Sequence, residues 1–203
     1  IYMKELNPSL DIDISSRNLY PPRVGDMNSE IKILHAYGWE GSRFPDDWVH
    51  DFNIYLDGIT VMSNFVKKIL VDSGVYIPIE ICGLGVDHID SIVNQEFNLL
   101  EAKAFRFLHV SSCFPRKGID VLLQAFGKEF TSHDDVSLII KTFKNPHNDV
   151  RNLLIKYQNE FPNYPHVIII EDNLDDVQLK GLYKFSNVLI APSYGEGFGL
   201  PIA

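Results

Sequence analysis

From about residue 103 the chain alternates short unbroken apolar runs with amphipathic stretches, and that alternation leaves few folds open to it. Phe105–Val110, Val136–Lys141, Val167–Glu171 and Val188–Ala191 have the pattern of strands. Ile119–Phe130, Val150–Phe161 and Asp175–Phe185 have the pattern of helices. Strands that are apolar at successive positions are expected where helices cover both faces of a sheet. Strand and helix alternating at this spacing imply right-handed βαβ crossovers and an open parallel sheet. The predicted class is therefore α/β, with a doubly wound domain from about residue 103 onward.

The earlier half carries the same signature in weaker form. Residues 1 to 30 are rich in Pro, Asn and Ser and show little pattern. Ile31–His35, Gly58–Met62 and Ile79–Cys82 then predict buried strands. Between the last two, Ser63 is an N-cap residue, and Phe65, Val66, Ile69 and Leu70 share one helical face. Gly74 sits where a glycine would end that helix. This strand, helix, strand unit predicts the tail of another α/β domain. Asp87 to Lys103 is polar, acidic and weakly patterned, which marks it as the linker.

Composition removes several function classes. The 203 residues are 45% apolar and 22% charged, as in a folded globular protein. With 18 Lys and Arg against 27 Asp and Glu, the net charge is −9, which argues against a general nucleic-acid or anionic-membrane surface. Cys82 and Cys113 cannot build a disulfide scaffold or a four-thiolate zinc site. The seven histidines show no metal-ligand spacing, so no metal is expected. Asp11-Ile12-Asp13 has the Asp-x-Asp form that can hold a divalent ion, but it lies far from any nucleotide-type loop and is assigned to an exposed acidic turn. No Gly-x-Ser-x-Gly elbow or Cys/His nucleophile pair occurs. No apolar run approaches the ~20 residues that span a bilayer. A soluble protein of a reducing compartment, cytoplasmic, is expected.

Two loops could carry chemistry, because ligands of open α/β sheets bind beyond the carboxyl ends of the strands. The first, Ser111 to Gly118, puts Arg116, Lys117 and Gly118 at the start of a helix, where free amides and the helix dipole favour an anion such as a diphosphate. Taken alone, the two cations also fit a solvated surface turn. The second, Pro192 to Pro201, carries Gly195, Gly197 and Gly199 around Glu196 and Phe198. Its glycines permit an anion-binding nest, and Glu196 suits sugar or ribose hydroxyls. Taken alone, it also fits a tight turn with an exposed carboxylate. It lacks the G-x-G-x-x-G spacing and follows a late strand, which disfavours a dinucleotide.

Together these loops carry a family resemblance. Phe-Pro-Arg-Lys-Gly-Ile-Asp-Val-Leu-Leu-Gln-Ala-Phe (114–126) and Ser-Asn-Val-Leu-Ile-Ala-Pro-Ser-Tyr-Gly-Glu-Gly-Phe-Gly-Leu-Pro-Ile-Ala (186–203) resemble the C-terminal domain of family 4 type glycosyltransferases of the GT-B fold. Trp39-Glu40-Gly41-Ser42, Val61-Met62-Ser63-Asn64-Phe65-Val66, Ser73-Gly74-Val75 and Gly85-Val86-Asp87 resemble the end of their N-terminal domain and its exit. The likeness covers nearly all of the chain from about Ile31.

The resemblance implies two Rossmann-like doubly wound domains, both incomplete. Residues 1–90 would be the C-terminal portion of the acceptor-side domain with the start of the linker. Residues 103–203 would be the first part of the nucleotide-sugar-binding domain. It implies a retaining hexosyltransferase, of a kind found in polysaccharide biosynthesis. Such an enzyme moves sugar from a UDP- or GDP-sugar to a glycan, lipid-linked or protein acceptor, with no cofactor besides that donor substrate. Peripheral membrane association of the full-length protein stays open.

By the same resemblance Lys117 neutralises the donor diphosphate, with Arg116 and the amides after Gly118 assisting. Glu196 contacts the donor sugar, and Gly197, Phe198 and Gly199 offer backbone amides. His35 aligns loosely with a family histidine near the sugar; as a lone histidine it equally fits a structural role.

Two departures qualify the match. Many members carry an Arg six residues before the Lys, where this chain has Ser111. The partner of Glu196 in the family's Glu, seven residues, Glu motif falls at position 204, one past Ala203. The opening on Ile1 and the stop at Ala203 then predict an internal segment that is inactive by itself. A degenerate domain that binds a nucleotide sugar or a protein without turnover is the alternative, and Ser111 is the feature that favours it.

Overall fold

Eight strands and six α-helices form within residues 12–93 and 95–203, the residues described by the computed structural model. They cluster into two units. One runs to Leu84 and takes in Glu196–Phe198; the other comprises Gly85–Gly195 and Gly199–Ala203.

The first unit is built on a parallel four-stranded sheet of β1 (Ile14–Arg17), β2 (Ile31–Tyr37), β3 (Gly58–Val61) and β4 (Ile79–Ile81), in that spatial order. Helix α1 (Asp46–Tyr55) lies between β2 and β3 in the chain, and α2 (Asn64–Asp72) between β3 and β4. Ser63 caps α2 by accepting the Val66 N–H on Oγ at 3.3 Å, and Val66, Ile69 and Leu70 form its buried face. Gly74 follows with φ +102°, the left-handed conformation that closes many helices and that glycine adopts without a Cβ penalty. The core joins Leu34, Val61 and Leu70 to Phe44 and Phe52, all completely buried. Trp39 and Trp48 pack edge-on against Phe44.

Two of these elements, β1 and α1, were not anticipated. Strand β1 is short and alternates exposed with half-buried residues at the sheet edge, so no apolar run announces it. Helix α1 opens after Pro45 on Asp46 and Asp47, and Phe52 is its one buried residue, which leaves a thin apolar stripe.

The second unit has the strand order β7-β6-β5-β8, all parallel: β5 (Phe105–Val110), β6 (Val136–Lys141), β7 (His166–Ile170) and β8 (Val188–Leu189). Helices α4 (Ile119–Glu129), α5 (Val150–Glu160) and α6 (Asp176–Phe185) connect them. Along β6 the side chains divide by parity. Leu138 and Ile140 pack with Ile119, Leu122, Leu123, Phe126 and Val150 of α4 and α5. Ile139 packs with Leu108, Ile168 and Leu182, the last from α6. Helices therefore cover both faces, which is why β6 is apolar at consecutive positions. Each such aliphatic side chain contributes roughly 1.5–3 kcal/mol on leaving water. Asp175 and Gln178 cap α6 reciprocally: the Asp175 carboxylate accepts the Gln178 N–H at 2.8 Å, and the Gln178 amide oxygen accepts the Asp175 N–H at 3.0 Å.

Among the described residues of 87–103 there is a single helical turn, α3 (His88–Ser91), and contacts from this stretch reach α6. Lys180 Nζ donates to the carbonyls of Ile89, Asp90 and Ile92 at 2.8, 3.2 and 2.9 Å. Gly181 admits the Gln95 carbonyl so closely that a Cβ there would lie 2.6 Å from its oxygen.

Candidate donor-binding site

The chain leaves β5 for β6 and β7 on one side of the sheet, then crosses back to enter β8 on the other side. The point of reversal lies between β5 and β8, and a crevice beyond the carboxyl ends of two such strands is where open α/β sheets bind ligands. The loops that follow β5 and β8 in the chain are the two singled out from sequence.

The β5 loop descends through Ser111 and Cys113 to a 3₁₀ turn, Pro115–Lys117, and then enters α4. Gly118 joins turn and helix in the left-handed conformation, φ +69°. A Cβ on it would lie 2.2 Å from the Pro192 carbonyl oxygen and 3.0 Å from the carbonyl carbon, so backbone meets backbone there. Two further bonds hold the loops together: Arg116 Nη1 donates to the Gly195 carbonyl at 3.1 Å, and the Tyr194 N–H donates to the Arg116 carbonyl at 2.8 Å.

These bonds decide between the two interpretations of the basic pair. Lys117 is only 8% exposed and Arg116 is half-buried, so the pair is not a solvated surface turn. Placing an ammonium out of water is costly unless negative charge or polar groups surround it. The turn that buries Lys117 is held by its own N–H on the Phe114 carbonyl, 2.7 Å, and by Gly118 N–H on Pro115, 3.1 Å.

Behind the loop, β5 buries a histidine that sequence reasoning passed over. His109 is 1% exposed; Nδ1 lies 2.8 Å from the Ile190 carbonyl oxygen and Nε2 lies 2.7 Å from Ser111 Oγ. Burial lowers the pKa of its ring. The Ile190 bond opposes that shift, and the Lys117 charge adds to it. Ser111 Oγ also accepts the Cys113 N–H at 3.0 Å. Cys113 is buried with its thiol pKa pushed up by burial, and it takes a strained φ of +54° that fixes the bend of the loop. At the end of β7, Arg151 Nε donates to Glu171 at 3.1 Å, and that guanidinium holds the Glu171 pKa below the usual carboxylate range.

The remaining sequence-derived candidates fall as follows. Gly199 lies in the second unit with φ +82°, and its carbonyl accepts the Ile202 N–H at 2.8 Å. Glu196, Gly197 and Phe198 cluster with the first unit, where the Gly197 carbonyl accepts from Ser63 Oγ at 2.7 Å. Gly197 packs against Gly38 and Trp39. Glu196 is half-buried. His35 is exposed on β2 with Nδ1 2.7 Å from Ser16 Oγ, and the next residue, Ala36, has φ +45°. Asp13 is exposed, and Asp11 lies outside the described residues.

Among the described residues no group of three or more His, Cys, Asp or Glu side chains could hold a metal ion. An open cleft of about 470 Å³ lies at the other end of β5, lined by Glu96, Phe97, Arg106, Lys184 and Phe185, away from these loops. Among the described residues no helix is long and apolar enough to cross a membrane.

Residues 91–203 match the family model "Glycosyl transferases group 1", more than half of the chain, and the chain belongs to that family. Solved structures that share the fold include the following two. An OtsA structure without ligand superposes with a TM-score of 0.57 at 12% identity, over 82% of this chain and 47% of that one. The pneumococcal O-GlcNAc transferase GtfA, solved with UDP and GlcNAc, gives 0.53 at 15% identity, over 85% and 35%. The fold is thus of the GT-B type. The chain spans less than half the length of either structure. No curated protein sequence matches it.

Proposed function

We propose that the complete protein is a retaining glycosyltransferase that moves a sugar from a nucleotide diphosphate donor to an acceptor, with the diphosphate at the amino end of α4. The observation that carries this reading is Lys117, buried in the turn that leads into α4 from the loop after β5, a strand flanking the switch point of the sheet. Its ammonium offsets the charge that grows on the departing diphosphate, and a group fixed in place beforehand does so without reorganising during the reaction. The free amides after Gly118 add to the same field.

Glu196 contacts hydroxyls of the donor sugar, and amides of Gly197, Phe198 and Gly199 assist. Retention at the anomeric carbon and these sugar contacts rest on the family motifs at 114–126 and 186–203. The acceptor is a glycan, a lipid-linked sugar or a protein. A binding module without turnover is the second reading, favoured by Ser111, whose hydroxyl is engaged with His109 at the position where the family resemblance leads one to expect an arginine.

A melting series of the complete protein with UDP-glucose, UDP-N-acetylglucosamine and GDP-mannose tests donor binding. A ligand held only by the folded state at a hundred times its Kd adds about 2.7 kcal/mol, hence several degrees in Tm. At least one of the three is expected to give that rise; no shift with any of them would overturn the proposal.

A further inference from the structure

His109 lies at the hinge of the two loops, and its hydrogen bonds fix its proton. A carbonyl oxygen only accepts, so the 2.8 Å contact with Ile190 requires hydrogen on Nδ1. In the neutral ring Nε2 is then the acceptor, and Ser111 Oγ, 2.7 Å away, must donate to it. Ser111 has one hydroxyl hydrogen. While His109 is neutral that hydrogen points inward and cannot serve a ligand of the loop.

We propose that His109 is a proton-responsive positioning residue: when a diphosphate occupies the loop of Lys117, a proton from solvent settles on Nε2, the His109–Ser111 bond reverses, and the Ser111 hydroxyl hydrogen is released to the diphosphate. This rests on the donor-site reading above. The proton balance closes on these atoms. The imidazolium donates from Nδ1 to Ile190 and from Nε2 to Ser111. Ser111 Oγ accepts that bond and the Cys113 N–H with its two lone pairs, which leaves its own hydrogen free. Cys113 Sγ, 3.7 Å from Ser111 Oγ, competes only weakly for it, being a poor acceptor.

The charges around the ring supply the driving force. The Lys117 charge opposes a positive charge at His109. An anion beside Lys117 cancels that opposition. The ionisable groups on the elements around the ring include Arg106 on β5 itself, Arg116 of the 3₁₀ turn, Cys113 of the loop, Asp120, Lys128 and Glu129 of α4, Lys141 at the end of β6, and Tyr194 of the loop after β8. Glu171, at the end of β7, acts on Cys113.

The free ring titrates below its usual range and the bound ring above the free value. Binding therefore takes up a proton between those two values, and affinity rises as pH falls through the window, by up to about tenfold per pH unit.

Calorimetric titration of the complete protein with UDP-glucose or GDP-mannose, whichever binds, across pH 5.5–7.5 in two buffers of different ionisation enthalpy counts that proton. A nucleotide sugar is a suitable probe because its diphosphate has no group titrating in this range. Wild type is expected to take up a substantial fraction of a proton, and His109→Gln, which keeps the hydrogen bonds but cannot titrate, to take up none. The ring ¹⁵N signals of wild-type His109 should move from one bare and one protonated nitrogen to two protonated nitrogens on saturation. Binding with equal proton uptake in both proteins, or a ring that stays neutral when saturated, overturns the switch and leaves the donor site standing. Failure of the wild type to bind any nucleotide sugar at any pH overturns the donor-site reading itself.

Discussion

Replacing Lys117 with methionine is expected to lower kcat/KM for sugar transfer about 10²- to 10³-fold while the protein stays folded. The size follows from what the ammonium does. A preorganised group facing charge that develops in the transition state is worth about 2.7–4 kcal/mol when removed. The fold should survive because methionine occupies much of the same volume on a flexible unbranched chain. Lys117 as a residue is 8% exposed, an environment that suits an apolar methionine side chain. Initial-rate assays and a melting curve on the same preparation check both halves. An unchanged rate would remove Lys117 from the site. A collapsed Tm would make it a structural residue.

Gly118→Ala is expected to be the most destabilising small substitution in the two loops. The φ of +69° costs a residue with a Cβ roughly 1–2 kcal/mol. The larger problem is the 2.2 Å approach to the Pro192 oxygen, because the obstructing atom is backbone and cannot rotate aside as a side chain would. The loops must part, and the Arg116–Gly195 and Tyr194–Arg116 bonds weaken with them. A total loss of about 3 kcal/mol is expected, or roughly 6–12 °C in Tm. Gly85→Ala is the control: nothing lies within 4 Å of its Cβ position, and it should change stability by no more than about 0.5 kcal/mol. Equal melting of the two variants would contradict the close approach of the loops.

These two residues also mark what sequence could and could not disclose. Strands β5 and β6 were legible to the residue, because a strand covered on both faces carries apolar residues at consecutive positions, Phe107-Leu108 in β5 and Leu138-Ile139-Ile140 in β6. Ser63 announced its helix by capping chemistry, which is local. Edge strand β1 and the thinly apolar α1 had no comparable signal.

The pair Arg116-Lys117 was visible as a basic turn, but its burial depends on Pro192 to Gly195, more than seventy residues along the chain. His109 was hidden for the same reason. Inside Phe-Arg-Phe-Leu-His-Val it is one polar residue of a strand, and only the Ile190 carbonyl, brought alongside by β8, gives its ring a fixed tautomer. The family motifs supplied the chemistry that periodicity could not, since diphosphate recognition needs particular residues at 116–118 and any strand–loop–helix would have satisfied the pattern.

The most direct measurement of the central claim is a crystal structure of the complete protein bound to whichever UDP- or GDP-sugar raises its Tm. The diphosphate is predicted within hydrogen-bonding distance of Lys117 Nζ and of the backbone amides that open α4 after Gly118. A diphosphate bound elsewhere, with Lys117 making no contact to it, would contradict the account.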